Sequence, residues 1–259
     1  MGEHKQTNTM KYLIISDIHS NIEALRAVIF ETMSMDIDKY VILGDLVGYC
    51  ASPNEVIERV RDINPAIIIR GNHDKFVSGL SDGRDFNRIA READLWTREN
   101  LLTQNMDFIR QLPKGPVEVD GLFEIVHGSH YDEDRYILSS SEVLDEFYGS
   151  QWRITFFGHT HIQMIWAYDE NNEDVEPNIF AIRDNKYEYK LDKNIRYMIN
   201  PGSVGQPRDR DPRSAFAIFD SDKWTVTFFR VNYNIKIAQD KIRRAGLDEF
   251  FSERLAVGI

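Results

Sequence analysis

Cysteine is almost absent from this chain of 259 residues, and its one copy, Cys50, excludes an intramolecular disulfide. Small disulfide-stabilised proteins are therefore excluded, and a lone thiol suits a reducing compartment. Long apolar runs are also missing, since no stretch approaches the about 20 apolar residues that a membrane-spanning helix needs. The polar N-terminus, MGEHKQTNTM, lacks the apolar segment of a signal peptide. These absences predict a cytoplasmic protein without a membrane partner.

Positive charge is in deficit, because 31 Lys and Arg residues face 42 Asp and Glu residues and the formal net charge is −11. A protein that binds the backbone of long nucleic acids needs a basic face, so this class of partner is not expected. A small anionic substrate stays open, because bound cations can dominate the local field of an acidic site. Linkers rich in Pro, Gly or Ser are missing too. We therefore expect a single domain over residues 10–259, preceded by a disordered polar tail at residues 1–9.

What is present is an alternation of short apolar runs and helical patterns. Residues 12–16 (YLIIS), 40–43 (YVIL) and 66–70 (AIIIR) are typical of buried strands. Apolar residues at helical spacing predict helices at residues 21–33 and 53–63 between them. This alternation indicates parallel strands of an α/β sheet. The other predicted elements are strands at residues 117–119, 123–126, 154–157, 164–168, 179–183, 187–191, 197–199, 215–219 and 225–231, and helices at residues 141–148, in an insert at 85–112, and at 235–255.

Polar side chains with metal-binding chemistry follow five of the predicted strands. The motifs are DIH with Asp17 and His19, GD with Asp45, GNHD with Asn72, His73 and Asp74, HGS with His127, and GHTH with His159 and His161. Because ligands of open α/β sheets bind outside the carboxyl ends of the strands, we expect the motifs to converge at one edge. Carboxylate, imidazole and amide groups suit manganese, zinc or iron, and no thiolate ligand is offered. One such motif alone is weak evidence, but five in succession predict a metal site.

The order of these motifs, D-x-H, G-D, G-N-H-D, H and G-H-x-H, resembles that of the calcineurin-like metallophosphoesterases over about residues 17–205. The resemblance implies an α/β (α+β layered) fold, a two-sheet β sandwich flanked by helices. It also implies roles for the motif residues. Asp17, His19 and His161 would hold one divalent ion, Asn72, His127 and His159 a second, and Asp45 would bridge them, while His73 would face the scissile phosphate and Asp74 would orient His73.

Two neighbouring metal ions can clamp a phosphate, and they lower the pKa of a coordinated water toward about 7, which supplies hydroxide near neutral pH. The resemblance therefore implies a dinuclear metal-dependent hydrolase of phosphate esters or anhydrides. Manganese is expected first, with zinc, iron, nickel and magnesium as alternatives. A closer likeness is to a small prokaryotic branch that contains phosphodiesterases and diadenosine-tetraphosphate-type hydrolases. It depends on GDLVGY with Pro53 and Glu55, and on NPGSVGQPRD at residues 200–209. The expected function is a phosphodiesterase or nucleotide phosphohydrolase that acts on a small phosphate-containing substrate.

The chain departs from one subclass pattern. Protein serine/threonine phosphatases of this superfamily carry an arginine in G-D-x-x-D-R, where this chain has GDLVGY. That departure weakens the protein-phosphatase reading, and that of a symmetrically cleaving diadenosine tetraphosphatase. Arg208, in the turn-rich segment NPGSVGQPRD, is a candidate substitute that would contact the substrate, and its loop could present backbone N–H groups to an anion. The alternative for this segment is a structural turn with surface charges.

Several alternatives stay open at this level. The reaction could be that of a phosphomonoesterase, and a non-catalytic scaffold that binds partners is the alternative from another class. The insert at residues 85–112 is the predicted wall of the substrate pocket. A homo-oligomer formed through the C-terminal helix or a strand edge also stays open.

Overall fold

The protein consists of two six-stranded β-sheets that pack face to face, with helices on their outer faces. The computed structural model describes residues 10–172 and 175–259. The tail predicted to be disordered, residues 1–9, lies outside the described residues. In chain order the elements are β1 (Lys11–Ile15), α1 (Ile22–Thr32), β2 (Lys39–Ile42), α2 (Pro53–Ile63), β3 (Ile67–Ile68), α3 (Asn72–Val77), α4 (Arg88–Asn100), α5 (Thr103–Arg110), β4 (Val117–Val119), β5 (Phe123–Ile125), α6 (Ser140–Gly149), β6 (Ile154–Phe156), β7 (Met164–Tyr168), β8 (Asn178–Ala181), β9 (Lys186–Lys190), β10 (Arg196–Asn200), β11 (Ser214–Asp220), β12 (Thr225–Val231), α7 (Ile235–Arg244) and α8 (Glu249–Leu255).

Each sheet contains three adjacent parallel strands. The first sheet has the order β3-β2-β1-β11-β12-β9, and the second has the order β4-β5-β6-β10-β7-β8. β1, β2 and β3 are parallel to one another, as are β5, β6 and β10. The carboxyl ends of the strands that precede the polar motifs therefore meet at one edge of each sheet. The predicted two-sheet sandwich flanked by helices is confirmed.

The residues of β1 alternate between two cores, as the pleat of a strand requires. Tyr12 and Ile14 pack between the sheets, where the Tyr12 ring lies 5.2 Å from that of Phe123. Leu13 and Ile15 pack on the opposite side against α1 and α2. Burying a large apolar side chain contributes about 1.5–3 kcal/mol. This double packing fixes the end of β1, and so the position of the first polar motif.

The helices depart from the predicted pattern at three places, one of which is the short helix α3 (Asn72–Val77), which was not predicted. The insert predicted at residues 85–112 consists of two helices, α4 and α5, and the helix predicted at residues 235–255 is divided into α7 and α8. Gly246, with φ +71°, provides the left-handed turn between α7 and α8. Within the two described ranges, no helix combines the length and the apolar composition that crossing a membrane requires.

Candidate metal centre

The polar motifs that follow five strands meet at one end of the sandwich. Asp17 and His19 follow β1, and Asp45 follows β2, in the first sheet. His127 follows β5 and the GHTH motif follows β6 in the second sheet. The side chains of all seven predicted ligands are buried. The site therefore lies between the carboxyl ends of two sheets, where the packing of the sandwich holds it.

The predicted ligands form two groups that share Asp45. Within each group, one ligand atom per residue lies within 4.8 Å of the others: the first group is Asp17, His19, Asp45 and His161, and the second is Asp45, His127 and His159. Asp45 Oδ2 lies 3.5 Å from His19 Nε2 and 3.4 Å from His127 Nε2. Asn72 Oδ1 lies 3.1 Å from His127 Nε2, beside the second group. The structure brings together all seven residues, and their role as ligands stays a prediction.

The hydrogen bonds of three imidazoles fit a bound cation. The Nδ1 atoms lie 3.1, 2.7 and 2.6 Å from backbone oxygens, in the pairs His19 with Val47, His127 with Leu43 and His161 with Gln206. A carbonyl oxygen only accepts, so in each neutral ring Nδ1 carries the proton and Nε2 presents a lone pair. Nε2 of His19 and Nε2 of His161 are 3.1 Å apart. Asp45 Oδ2 is buried and has no hydrogen-bond partner among the described residues. Acceptors that face one another in this way are stabilised by a cation between them.

The pKa shifts of the histidines also fit a bound cation. Burial lowers the pKa of His19 and of His161. Burial and the charge of His127 lower the pKa of His159 to about 3. His127 differs, because burial lowers its pKa but the Asp45 carboxylate raises it to about 9 overall. A metal ion would take the place of that proton, since imidazole binds metals as the neutral base.

The backbone at the centre is strained. Five of the predicted ligands have positive φ angles: Asp17 (54°), His19 (49°), Asp45 (53°), His159 (64°) and His161 (62°). Residues other than glycine in such conformations cost about 1–3 kcal/mol each and persist where the surrounding structure holds them. Gly71 is required for a different reason, because a Cβ at this position would collide with the Asp45 carboxylate. These backbone conformations direct the side chains of successive motifs toward a common point.

His73 is oriented by a different residue from the one predicted. Its Nδ1 lies 2.7 Å from Asp94 Oδ2, on α4. Asp74 instead accepts hydrogen bonds from the backbone nitrogens of Leu46 and Gly71, both at 3.0 Å, and so joins two motif loops. The prediction that Asp74 orients His73 is therefore wrong. Burial opposes a charge on His73, but the Asp94 carboxylate outweighs this effect and raises the pKa of the ring well above its usual range.

The position of Asp94 on α4 explains why motifs did not reveal it. The helix buries Ala90, Ala93, Asp94 and Thr97, which is the spacing of the inner stripe of an amphipathic helix. A carboxylate on such a stripe is costly unless it finds a partner. The signal that the sequence offered for Asp94 was therefore an acidic residue on the apolar stripe of a predicted helix.

Asp94→Asn is expected to lower kcat about 10²-fold, with little change in KM or in metal content, because the amide keeps the shape of the side chain but removes the charge that holds His73 protonated. Steady-state kinetics and elemental analysis of the metal-loaded protein measure these quantities. Glu92→Gln is the matched control, since Glu92 lies on the same helix, is exposed and pairs with Arg88. An Asp94→Asn variant that turns over at the wild-type rate would remove Asp94 from the mechanism.

A cavity of about 110 Å³ opens beside the two groups of candidate ligands. Its lining residues are Tyr49, Asn72, His73, Asp85, Phe86, Asn87, Ala90, Asp134, Tyr136 and His159. The Tyr136 ring stacks on His159 with centroids 3.9 Å apart, and the Phe86 ring lies 4.8 Å from that of His73. The insert predicted as the pocket wall thus reaches the cavity through residues 85–90, whereas α5 does not line it.

The segment NPGSVGQPRD, residues 200–209, holds the backbone of the loop that carries Asp17. The Ser203 hydroxyl and the Gly205 nitrogen both donate to the Asp17 carbonyl oxygen, at 2.8 and 2.9 Å. The expectation that this loop presents free N–H groups to an anion is wrong, because the backbone nitrogens of Gly202, Val204, Gly205, Gln206 and Arg208 all donate within the protein. Arg208 extends beside the cavity, where its Nη2 lies 3.4 Å from the Tyr49 hydroxyl. Its contact with a substrate stays a prediction.

Comparison with known proteins gives matches over nearly the whole chain. Residues 10–223 match the family model of the calcineurin-like phosphoesterase superfamily domain. An uncharacterized protein of Methanocaldococcus jannaschii is 38% identical over 250 residues, which cover 95% of this chain and 97% of that protein. The crystal structure of a metallophosphoesterase from Sphaerobacter thermophilus is 37% identical, with a TM-score of 0.85 over 97% of this chain and 100% of that one. A hypothetical protein from Pyrococcus horikoshii OT3, 22% identical over 96% of this chain and 99% of that one, shares the fold with a TM-score of 0.77.

Proposed function

The chain belongs to the calcineurin-like phosphoesterase superfamily, and from this premise we propose that it is a dinuclear metal-dependent phosphodiesterase or nucleotide phosphohydrolase. The observation that carries the proposal is the position of Asp45, whose unpartnered Oδ2 faces both groups of candidate ligands. A carboxylate oxygen in this position suits a bridge between two cations. Next to it, His73 lines the cavity that a phosphate would enter.

The donor set fits two divalent ions. Asp17, His19, Asp45 and His161 would hold one, and Asp45, Asn72, His127 and His159 would hold the other. Bound there, such ions supply Lewis acidity toward phosphoryl oxygens and lower the pKa of water. Nitrogen and oxygen donors without thiolate suit manganese as well as zinc, iron and nickel, so availability would select the bound metal, and manganese is the one proposed first. Backbone carbonyls on Nδ1 of His19, His127 and His161 fix the tautomer in which Nε2 would face the ions. In His159 the carbonyl of Asp134 lies on Nε2 instead, at 3.1 Å, so this ring would face an ion through Nδ1.

The side chains of the protein account for the remaining requirements of phosphoester hydrolysis. His73 would donate a proton from Nε2 to the oxygen of the leaving group, because Asp94 already occupies Nδ1. The same positive charge would stabilise the negative charge that develops on the phosphate. The rings of Phe86 and Tyr136, which border the cavity, would limit the access of water.

The substrate that best suits this cavity is a small nucleotide. A cavity of about 110 Å³ admits a phosphoryl group, while the rest of the substrate would extend past the rim. Phe86 and Tyr136 offer aromatic surfaces to a base, and Asp85 and Asn87 offer hydrogen-bonding groups to a sugar. The net charge of −11 disfavours long nucleic acids.

A panel of substrates tests the proposal. The protein is stripped with a chelator, reloaded with manganese and incubated with para-nitrophenyl phosphate, bis-para-nitrophenyl phosphate and diadenosine tetraphosphate. We expect manganese-dependent cleavage of the diester or of the dinucleotide, with products separated by ion-exchange chromatography. Cleavage of the monoester alone would identify a phosphomonoesterase instead. No turnover of any of the three, with metal binding verified, would contradict the proposal.

A further inference from the structure

Arg208 is held at the rim of the metal centre by its backbone and by neutral oxygen atoms. Its backbone nitrogen donates to the His161 carbonyl oxygen at 3.2 Å. The guanidinium lies 3.4 Å from the Tyr49 hydroxyl, 3.3 Å from the Tyr136 hydroxyl and 3.1 Å from Gln206 Oε1. These partners fix the direction of the side chain without neutralising its charge.

The two tyrosines place Arg208 between the two groups of candidate ligands. The Tyr49 ring lies 4.6 Å from the ring of His19, in the first group, and 4.3 Å from that of His73. Tyr136 stacks on His159, in the second group. A guanidinium that contacts both hydroxyl groups therefore lies across the mouth of the site, within reach of a ligand that binds there.

The charge of Arg208 has no carboxylate of its own. Neighbouring carboxylates are used by other arginines, since Asp209 pairs with Arg230 and Asp211 pairs with Arg213. Asp17 is close enough to raise the pKa of Arg208, but its oxygens are already engaged at the candidate metal centre. Arg208 Nε is also buried without a hydrogen-bond partner among the described residues. Burying a charge that lacks a counter-ion is costly, so this arrangement suits an anion that arrives with the substrate.

A second arginine lies on the helix that packs against the Tyr49 ring. Arg254, on α8, stacks over the Phe250 ring at 4.9 Å, and its Nε donates to the backbone oxygen of Ile259. Phe251, on the same helix, has its ring 5.0 Å from the Tyr49 ring, and this contact joins the helix to the rim of the site. Burial and the charge of Arg208 lower the pKa of Arg254 to about 10. In the described part of the chain, neither arginine forms an ion pair with an Asp or Glu side chain.

We propose that Arg208 and Arg254, together with the hydroxyl groups of Tyr49 and Tyr136, bind a second anionic group of the substrate next to the scissile phosphoryl group. The inference rests on the proposed function and narrows it to phosphoanhydrides, such as nucleoside or dinucleoside polyphosphates, in preference to simple esters. Water adds to one phosphorus, and the bridging P–O bond breaks with its electron pair remaining on the bridging oxygen. His73 protonates that oxygen, and the proton released by the water restores the charge of His73.

Substrate selectivity tests this subsite. The measured quantity is the ratio of kcat/KM for diadenosine tetraphosphate to kcat/KM for bis-para-nitrophenyl phosphate, with the manganese-loaded full chain. We expect Arg254→Gln to lower this ratio about tenfold or more, because the variant loses a charge-assisted hydrogen bond to the second phosphate only. Arg208→Gln is expected to lower the same ratio, and Arg254→Lys to keep most of it. Arg244→Gln, which removes an exposed arginine from α7, is the matched control.

The outcomes separate this inference from the function on which it rests. No turnover of either substrate by the wild-type protein would contradict the proposed function itself. Turnover of the ester alone, or an unchanged ratio in folded Arg254→Gln and Arg208→Gln variants, would overturn the subsite and leave the proposed function intact. An equal fall for both substrates in Arg254→Gln would also overturn it, since a second-phosphate contact cannot affect an ester with one phosphorus.

Discussion

Asp45→Asn is expected to abolish stable binding of two metal ions and to reduce turnover below detection. The substitution replaces the unpartnered Oδ2, which faces both groups of candidate ligands, with an amide that either donates or binds weakly. Altering an outer contact of a metal ligand already costs about 10–100-fold in affinity, and loss of a shared ligand should exceed that. Elemental analysis after gel filtration, together with the substrate panel, measures both effects.

The fold is expected to survive this substitution. Asp45 Oδ1 accepts a hydrogen bond from the His73 backbone nitrogen at 2.9 Å, and the asparagine oxygen can accept the same bond. Circular dichroism of the metal-free protein checks this point. Asp107→Asn is the control, because Asp107 is exposed on α5 and pairs only at the surface, with Arg110. Two bound ions and full activity in Asp45→Asn would exclude Asp45 as the shared ligand.

His73→Asn is expected to leave the metal content unchanged while lowering kcat about 10²–10⁴-fold, the usual contribution of a positioned general acid. His73 belongs to neither group of candidate ligands, and its Nδ1 is occupied by Asp94. The asparagine amide can still donate to Asp94, so the variant tests the loss of the proton donor more than the loss of packing. Kinetics on bis-para-nitrophenyl phosphate and elemental analysis give the two readouts.

A double variant that combines His73→Asn with Asp94→Asn tests whether the two residues act as one unit. If His73 is the acid and Asp94 positions it, the double variant should be little worse than His73→Asn alone, because residues that act as one unit are not additive. Turnover of His73→Asn at the wild-type rate would remove His73 from the mechanism. Loss of metal in this variant would show instead that His73 acts as a ligand.

The accuracy of the predicted elements follows from how local their causes are. The strands at Met164–Tyr168 and Thr225–Val231 have the predicted bounds, and their residues are mostly aromatic, β-branched or apolar. The predicted strand at residues 66–70 is reduced to Ile67–Ile68, because the next residues turn away to position the GNHD motif. The helix at Asn72–Val77 was missed, since six residues are too few for a periodic pattern. Pattern alone therefore predicted the long elements better than the short ones, while the two-sheet layering was implied by the family resemblance.

The residues of the candidate site also differ in how far the sequence could predict them. The convergence of the motifs could be predicted because each follows a strand and the sheets bring strand ends together, while the family resemblance identified the seven candidate ligands within them. Asp94 reaches His73 from a helix of the insert, and Tyr136 reaches His159 from a loop, so only the tertiary structure pairs them. The role assigned to Asp74 failed because adjacency in sequence was taken for contact between side chains. Asp74 lies in the first turn of α3, where its carboxylate accepts from the backbone nitrogens of Leu46 and Gly71 instead.

The central claim is that Asp45 lies between two metal ions. Anomalous diffraction from crystals of the manganese-loaded protein, collected at the manganese absorption edge, tests it most directly. We expect two anomalous peaks about 3.5–4 Å apart, the separation typical of two-metal hydrolases, with one in contact with His19 and His161, the other with His127 and Asn72, and Asp45 bound to both. A single peak, or peaks that do not contact Asp45, would contradict this description of the site.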